Sequence, residues 1–358
     1  MEELEAVLET GGAAAAELAG SALARGRPCA NCGETLAGRF CSSCGQPFDT
    51  HRRSLRHLGA DLVKDIASFD SRILRTVRAL LFRPGELALA FREGRTQRYV
   101  PPVRLYLFVS LIFFLVLSAT GIAIFQFVMT AAPMTITVVH GQPYVVDSDG
   151  ERHKMPAHYA DGKRHYNISS KLVFFAREGS LHSELTPDQR NRLNESLARA
   201  ERAEKQQNKT GVVTRTIAAT TNKLANDPAA LNGALTAWIP RALFLLVPLF
   251  AMLVATFYWR RRKALFFVDH LVFSLGIHSF AFALLLVAAG FAQILPGELV
   301  LWTAVAVLGL YMLLAMRRFY GQNWFWTGAK FTAVSVLYGT FFLLPAFGLV
   351  ILAAVMWG

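Results

Sequence analysis

The sequence predicts a mainly α, polytopic α-helical membrane protein that carries a small cysteine-rich module near its N-terminus. The 358-residue chain is 53% hydrophobic and 17% charged, whereas a soluble domain typically contains about 25% charged residues. The apolar residues are concentrated in a few long runs, and all four cysteines lie between residues 29 and 44. Together these observations predict about five transmembrane helices, with a mixed segment of strands and helix after the first one.

The four cysteines follow a duplicated spacing that is typical of a metal site. Cys29, Cys32, Cys41 and Cys44 form two C-x2-C pairs separated by eight residues, and a glycine follows each pair. Two such turns can present four thiolates to one tetrahedral ion, so residues 28–48 are predicted to form a zinc ribbon. The alternatives are two disulfides or a redox pair, although a redox pair does not explain the duplication. The ligands do not fix the metal, so iron stays open.

Residues 1–27 are predicted to form an acidic, alanine-rich tail and not a signal peptide. The segment has no basic stretch followed by a continuous apolar core. A thiolate site also favours a reducing compartment. Both observations predict a cytosolic N-terminus.

Five apolar stretches have roughly the length that a membrane-spanning helix needs. They lie near residues 105–130, 239–258, 271–294, 298–316 and 331–356. The predicted organisation is a first transmembrane helix at 104–130 and a four-helix transmembrane region at 239–358. The third and fourth stretches are separated only by Leu295-Pro296-Gly297, which predicts an antiparallel hairpin. Pro248 and Pro345 lie inside two stretches and are expected to kink them.

Basic residues predict the orientation of these stretches. Residues 72–104 hold eight arginines against two acidic residues. Further basic residues lie at 260–263 and 317–318, whereas the turn at 295–297 has none. The positive-inside rule therefore predicts a cytosolic N-terminus, a C-terminus outside and an extracytoplasmic segment at 131–238.

The extracytoplasmic segment contains signals for both strands and helix. Short strands are predicted from Thr135 to His140 and from Pro143 to Val146, on either side of a turn at 140–142. A helix is predicted to begin at Thr186 and to run to about residue 207.

Residues 52–103 form a basic amphipathic segment, in which apolar residues recur at helical spacing up to Pro84-Gly85. This pattern suits a helix in the membrane interface, where arginines meet anionic head groups of membrane lipids. The alternative is a helix packed on the cytosolic ends of the spans. The candidate lipid-surface residues are Arg72, Arg75, Arg78, Arg95 and Arg98.

Short motifs accompany the cysteine quartet along the chain. They are Asp70, Thr76, Arg83-Pro84-Gly85, Gly94-Arg95, Tyr99-Val100 with Pro101-Pro102, Leu105-Tyr106, the residues 269–273 with His278, and the residues 318–321. In this order they resemble the bacterial domain of unknown function 3667 family, which joins a short N-terminal zinc ribbon to a multi-span membrane region. The resemblance covers both ends of the chain but not clearly residues 131–238. It implies a bacterial inner-membrane protein and no particular reaction.

The third apolar stretch carries a candidate intramembrane polar site. Ionisable residues inside a membrane span are costly and are functional candidates for that reason. His270, Ser274 and His278 follow Asp269 along one helix and can conduct protons or bind a transition metal or a substrate. The alternative is a neutral His278 that bonds to a neighbouring helix.

No catalytic constellation is evident in the sequence, which favours a non-enzymatic role. The leading hypothesis is an adaptor or assembly factor whose zinc ribbon docks a cytosolic protein partner or packs on the membrane region. The alternative is a small-solute or ion transporter that uses His278 and the kinked helices. Nucleic-acid binding is disfavoured, because arginines flank the ribbon but aromatic residues are scarce there. The sequence does not determine an oligomeric state.

Overall fold

The computed structural model describes most of the predicted membrane region and the cysteine module. The described residues are 24–48, 72–146, 151–155, 165–177, 186–188, 191, 195, 228–261 and 265–357. Most of the tail predicted at 1–27 and the first part of the basic segment predicted at 52–103 lie outside them. The same holds for most of the helix predicted from Thr186.

The described chain is mainly helical. The helices are α1 (Arg72–Phe82), α2 (Glu86–Arg92), α3 (Pro102–Thr120), α4 (Pro228–Phe257), α5 (Phe267–Phe291), α6 (Gly297–Tyr320), α7 (Trp324–Tyr338) and α8 (Leu344–Trp357). A 3-10 turn at Trp259–Arg261 follows α4, and a π-helical turn at Gly339–Leu343 joins α7 to α8. The strands are β1 (Phe125–Met134), β2 (Ile136–Val139), β3 (Gln142–Val146), β4 (Arg152–Lys154) and β5 (His165–Phe174).

Four helical stretches of the described chain are long and apolar enough to cross a membrane. They are Pro102–Thr120, Phe267–Phe291, Gly297–Tyr320 and Trp324–Val350. The second predicted stretch corresponds to a shorter apolar helix, Arg241–Phe257. This stretch is the C-terminal part of α4, a helix of 30 residues. Four of the five predicted stretches thus correspond to candidate membrane-spanning helices of the described chain.

The first predicted span is too long at its C-terminal end. Helix α3 stops at Thr120, and the next residue, Gly121, has a φ of 64°. Glycine adopts this left-handed conformation without strain and commonly ends helices. From Phe125 the chain forms a strand rich in aromatic and β-branched residues, which favour a pleated sheet. The prediction of one helix over 104–130 is therefore wrong beyond Thr120.

The strands form two antiparallel sheets. In one sheet β1 pairs with β5 over ten residues, from Phe125 opposite Phe174 to Met134 opposite His165. The other has the order β2-β3-β4. His140 and Gly141 join β2 to β3 with φ values of 49° and 76°, as a two-residue hairpin turn requires. The predicted hairpin around residues 140–142 is confirmed.

The chain divides into two units. One consists of Met1–Val116, Leu243–Val287 and Thr303–Leu344. The other consists of Leu117–Ala242, Ala288–Trp302 and Pro345–Gly358 and contains both sheets. The boundary between Leu344 and Pro345 follows the π-helical turn, and a proline there removes one helical hydrogen bond. Helix α4, in contrast, is continuous through Pro248.

The core of the first unit forms where α5 packs against α6. The rings of Phe280 and Tyr311 stack with centroids 3.5 Å apart, and the rings of Phe273 and Phe319 lie 5.3 Å apart. Phe273 and Phe280 pair with α6 residues in reverse order, so the two helices are antiparallel. This confirms the hairpin predicted from Leu295-Pro296-Gly297.

Helices α1 and α2 pack on α6 through one face. Leu80 is 2% exposed, and its carbonyl accepts a hydrogen bond of 2.7 Å from the Tyr311 hydroxyl. The opposite face of α1 keeps apolar side chains accessible, because Leu74 is 80% exposed and Phe82 is 76% exposed. The packed arrangement is therefore present, and its accessible apolar face also suits contact with lipid.

Gly85 provides a test of this packing. Its φ is 76°, and a Cβ atom there would lie 2.8 Å from the Ala315 carbonyl oxygen of α6. We expect Gly85→Ala to lower the free energy of unfolding by about 3 kcal/mol, because backbone strain and overpacking add. Thermal or denaturant unfolding of the full chain in detergent measures this loss.

Gly94→Ala is the matched control for that substitution. Gly94 has nearly the same φ, 77°, but a Cβ atom there meets only the Ala30 Cβ at an ordinary 3.8 Å. Gly94→Ala should therefore lower the free energy of unfolding only by the cost of backbone strain, about 1 kcal/mol. Equal losses for the two variants would contradict close packing of Gly85 on α6.

Candidate metal centre

Each cysteine pair lies on a tight turn, and the two turns repeat the same backbone hydrogen bond. The N–H of Gly33 donates to the Cys29 carbonyl at 2.9 Å, and the N–H of Gly45 donates to the Cys41 carbonyl at the same distance. Gly33 and Gly45 have φ values of 82° and 69°. Glycine tolerates this conformation, so the residue after each pair allows the chain to turn around the sulfur atoms.

The two turns bring the four sulfur atoms to within 4.8 Å of one another. Cys29 Sγ lies 3.7 Å from Cys44 Sγ, and Cys32 Sγ lies 3.5 Å from Cys41 Sγ. All four are free cysteines, and these distances far exceed the roughly 2.05 Å of a disulfide bond. Four thiolates at about 2.3 Å from a tetrahedral ion lie about 3.8 Å apart. The quartet can therefore bind one metal ion.

Polar groups hydrogen-bond to two of the sulfur atoms. The backbone N–H groups of Glu34 and Gln46 hydrogen-bond to Cys32 and Cys44, and the Asn31 side chain also hydrogen-bonds to Cys44. Hydrogen bonds to the charged form stabilise it, and such outer contacts orient the ligands of a metal. Asn31 thus connects the first turn to a ligand on the second.

Gln46 attaches the cysteine module to the segment that follows α2. Its Nε2 donates to Thr96 Oγ1 at 3.0 Å, and its Oε1 accepts from the N–H of Gln97 at 3.1 Å. Gln46 is 5% exposed. The module therefore packs on the segment that follows α2 in its own chain.

A buried carboxylate lies beside this attachment point. Glu86, at the start of α2, has a side chain only 5% exposed and forms an ion pair with Arg318 of α6. Arg95 Nη1 lies 3.5 Å from Glu86 Oε1, and the Tyr99 hydroxyl donates to the same oxygen at 3.2 Å. Burial, together with the charge of Glu86, raises the pKa of Tyr99, so its hydroxyl stays a donor. Glu86 thus joins α2, the segment that follows α2, and α6.

Thr76 and Arg72 connect α1 to the same segment. The Thr76 hydroxyl donates to the Arg72 carbonyl at 2.8 Å and accepts from the Val100 N–H at 3.0 Å. Arg72 Nη1 donates to Gln97 Oε1 at 3.0 Å. Gln97 therefore contacts both the cysteine module, through its backbone, and α1, through its side chain.

The five candidate lipid-surface arginines differ in their surroundings. Arg72 and Arg95 make the contacts described above, and the Arg98 guanidinium lies 5.6 Å from the centre of the Tyr99 ring. Arg75 and Arg78 are exposed on α1. The last two are best placed for a lipid surface, and that role stays a prediction.

The candidate polar stripe of α5 divides into two clusters. In the first, His270 Nδ1 lies 2.8 Å from the Tyr320 hydroxyl, and the Tyr320 ring stacks on Tyr258 at 3.7 Å. Arg261 Nη1 donates to the Tyr320 carbonyl at 2.6 Å. Asp269 accepts from the Phe266 N–H at 2.8 Å, as a residue at a helix start does.

The second cluster links three helices. The Ser274 hydroxyl donates to the Val247 carbonyl of α4 at 2.7 Å. His278 Nδ1 lies 2.8 Å from the Ser274 carbonyl, and His278 Nε2 lies 3.2 Å from the Tyr338 hydroxyl of α7. Both ring nitrogens of His278 thus have partners within the helices. This geometry agrees with the alternative in which His278 bonds to a neighbouring helix.

Several residues of these sites have no clear sequence signal. The sequences that flank Gln46 and Tyr338 contain no motif that marks these residues. Only their tertiary contacts identify them as parts of these sites. Glu86 has a signal, because it is one of two acidic residues among eight arginines at 72–104. If such a carboxylate is buried when the segment packs on helices, it requires a cationic partner.

The described structure defines a helical membrane-type protein with a four-cysteine module attached to the segment that follows α2. Residues 70–114 match the sequence model of the family described as "Protein of unknown function (DUF3667)". This match confirms the resemblance to that family, over α1, α2 and the first part of α3. No curated protein and no solved structure matches the chain.

Removing the charge of Glu86 tests its role. Glu86→Gln keeps the shape but leaves Arg318 without this carboxylate and Arg95 with Glu93 alone, so we expect a loss of about 3 kcal/mol in the free energy of unfolding. Glu93→Gln is the control, because Glu93 is 45% exposed and pairs with Arg95 at 2.5 Å. The control should lose less than about 1 kcal/mol. Similar losses of unfolding free energy in the two variants would show that the buried ion pairs of Glu86 do not contribute to stability.

The link between α5 and α7 is tested by a double-mutant cycle. His278→Ala and Tyr338→Phe each remove the hydrogen bond between these residues, so each should destabilise the chain by about 1 kcal/mol. The double variant should lose about 1 kcal/mol less than the sum of the two single losses, because the bond is removed only once. Unfolding of all four proteins in one detergent measures this, and strict additivity would contradict the link.

Proposed function

We propose that the protein is an adaptor or assembly factor of the bacterial inner membrane, whose zinc ribbon docks a protein partner in the cytosol. The observation that carries this proposal is a metal-competent module held against the segment that follows α2 on one side and exposed on the other. Gln46 makes the inward contact, whereas Phe40 is 60% exposed and Cys32 is also exposed. A module attached in this way is positioned to meet a partner.

Zinc is the metal that the ligand set favours. Four thiolates at tetrahedral spacing form the closed coordination of structural zinc sites, which leave no position open for a substrate. The hydrophobic cluster within the module is small, with only Ala24, Cys29, Leu36 and Cys41 buried. A segment this short needs the metal for its folding. The four cysteines would hold the ion, and the module would supply a rigid surface.

The exposed side of the module has the chemistry of a protein interface. The ring of Phe40 is accessible beside the Arg39 guanidinium, whose carbon lies 5.8 Å from the ring centre. Aromatic residues and arginine are enriched in interface cores and among residues that dominate binding energy. Phe40 directly precedes the ligand Cys41, so metal binding would fix its position.

The transport alternative receives less support from the geometry. Both nitrogens of His278 contact groups of the helices, and Ser274 bonds to the Val247 carbonyl. A site that carries a solute or proton needs polar groups that are available to it. Proton- or solute-dependent flux in liposomes that His278→Ala removes would favour transport over the adaptor function.

The adaptor function is tested with the tagged full chain, cross-linked in its native membranes and purified with its partners. The wild type should contain one zinc ion per chain by elemental analysis. Cys44→Ser should lower metal affinity at least about tenfold and remove the partner. Phe40→Ala should remove the partner but keep the zinc. Ser43→Ala, which changes an exposed residue between two ligands, should keep both.

Two results would contradict this function. Unchanged cross-linked partners for both Phe40→Ala and Cys44→Ser would show that the module docks nothing. Iron in place of zinc in the purified wild type would contradict the structural zinc site. Thermal unfolding of each variant checks that the helices stay folded.

A further inference from the structure

Gln46 belongs to the second cysteine turn through its backbone and contacts the segment after α2 through its side chain. Its carbonyl accepts a hydrogen bond of 2.9 Å from the Cys41 N–H, and its own N–H hydrogen-bonds to Cys44. The side-chain amide donates to Thr96 Oγ1 at 3.0 Å and accepts from the Gln97 N–H at 3.1 Å. Two candidate metal ligands therefore hold the backbone of the residue whose side chain holds a segment 50 positions away along the chain.

The segment that Gln46 contacts, residues 94–97, lies between α2 and α3 and is part of no described helix or strand. The backbone N–H groups of Gly94, Arg95 and Thr96 donate to carbonyls at residues 91, 90 and 94, which are all nearby in the sequence. The Gln97 N–H instead donates to the Gln46 side chain. Because backbone donors need partners in a folded protein, the order of Gln97 depends on the position of Gln46.

The cysteine module has too few contacts of its own to stay folded without a metal ion. Its buried cluster consists of Ala24, Cys29, Leu36 and Cys41, and two of these are candidate metal ligands. A module of this size depends on its metal for folding. When the metal leaves, the second turn no longer fixes the backbone of Gln46, so the side chain loses its defined position. Metal binding and the contact to residues 94–97 thus depend on one equilibrium.

Residues 94–97 also contact α1 and α2. Arg95 Nη1 lies 3.5 Å from Glu86 Oε1 of α2, and Gln97 Oε1 accepts a hydrogen bond of 3.0 Å from Arg72 of α1. The contact made by Gln46 therefore connects the module to both helices through one short segment.

We propose that Gln46 is a positioning residue that couples metal binding in the module to the order of residues 94–97. With the metal bound, the second cysteine turn holds the Gln46 side chain against this segment. When the metal leaves, the segment loses the contact and the Gln97 N–H is released to solvent. Coupling between two sites is reciprocal, so the contact also raises the metal affinity of the module. The inference rests on the metal site of the proposed function and not on the docking of a partner.

Hydrogen exchange of the full chain in detergent tests the effect of the metal on the segment. Zinc-loaded wild type is compared with protein treated with a zinc chelator under reducing conditions, and overlapping peptides isolate the Gln97 amide. This amide should exchange at least about fivefold faster without zinc, because it loses its hydrogen bond. The hairpin at residues 136–146 is the internal control and should exchange equally in both samples. Equal exchange of the Gln97 amide with and without zinc would overturn the proposal.

Two variants test the effect of the segment on the metal, with zinc affinity measured by competition against a chelator. Gln46→Ala should weaken zinc binding about tenfold, because two hydrogen bonds made only by the folded module are lost. Its Gln97 amide should exchange equally fast with and without zinc. Thr96→Val removes a partner of Gln46 but changes no residue of the module, and it should weaken zinc binding about threefold. A purely structural role of Gln46 inside the module predicts no effect of Thr96→Val, so unchanged affinity in that variant would contradict the coupling.

Gln97→Ala is the matched control for these variants. It removes a side-chain amide from the same segment but keeps the backbone N–H that bonds to Gln46, so zinc affinity should stay within about twofold of the wild type. A tenfold loss in this control would contradict the assignment to Gln46. Thr96→Val decides the matter if Gln46→Ala leaves the module unfolded. A wild type that shows the coupling but captures no partner would support this inference and contradict only the proposed docking.

Discussion

The buried carboxylate of Glu86 is the contact on which the arrangement of α2, the segment after it and the end of α6 depends. It lies at the start of α2, pairs with Arg318 of α6 and Arg95 of the following segment, and accepts a hydrogen bond from Tyr99. A buried charge is strongly unfavourable unless such partners surround it. The positions of α2, the segment after it and the end of α6 are therefore not independent of one another.

The cysteine module is connected to this carboxylate through few residues. Gln46 bonds to Thr96 and Gln97, and Thr96 directly follows Arg95, a partner of Glu86. Gln46 itself directly follows the glycine of the second cysteine turn, so two candidate metal ligands and the attachment point share one turn. An ordered metal site therefore favours an ordered attachment, and the exposed Phe40 lies on the same short module.

One face of helix α1 packs on the rest of the protein, and another face is accessible to the surroundings. Leu80 and Thr76 pack inward and bond to α6 and to the segment after α2. Val77 and Leu81 line a cavity beside α3, and Leu74 stays exposed. This arrangement explains why one amphipathic pattern fits both interfacial and packed interpretations. The two are different faces of the same helix.

The sequence by itself determined the class of the protein and the candidate metal ligands. Four predictions rest on local patterns: the cysteine spacing, the long apolar stretches, the hairpin at 295–297 and the turn at 140–142. Such patterns can be recognised without knowledge of the fold, because they involve residues close together in the sequence. The sequence also led to the family resemblance that the match over residues 70–114 confirms. The end of α3 was misjudged, because hydrophobicity alone does not separate a buried helix from an apolar strand after Gly121.

Only the tertiary structure decided which distant residues meet. Glu86 and Arg318 are 232 positions apart, and His278 and Tyr338 are 60 apart. No periodicity in the chain encodes those pairs, because they depend on how α2, α5, α6 and α7 pack. The same holds for a cavity beside Arg104, whose walls come from three helices. The sequence specifies the chemistry of each side chain, whereas the packing of the helices determines which side chains come together in a site.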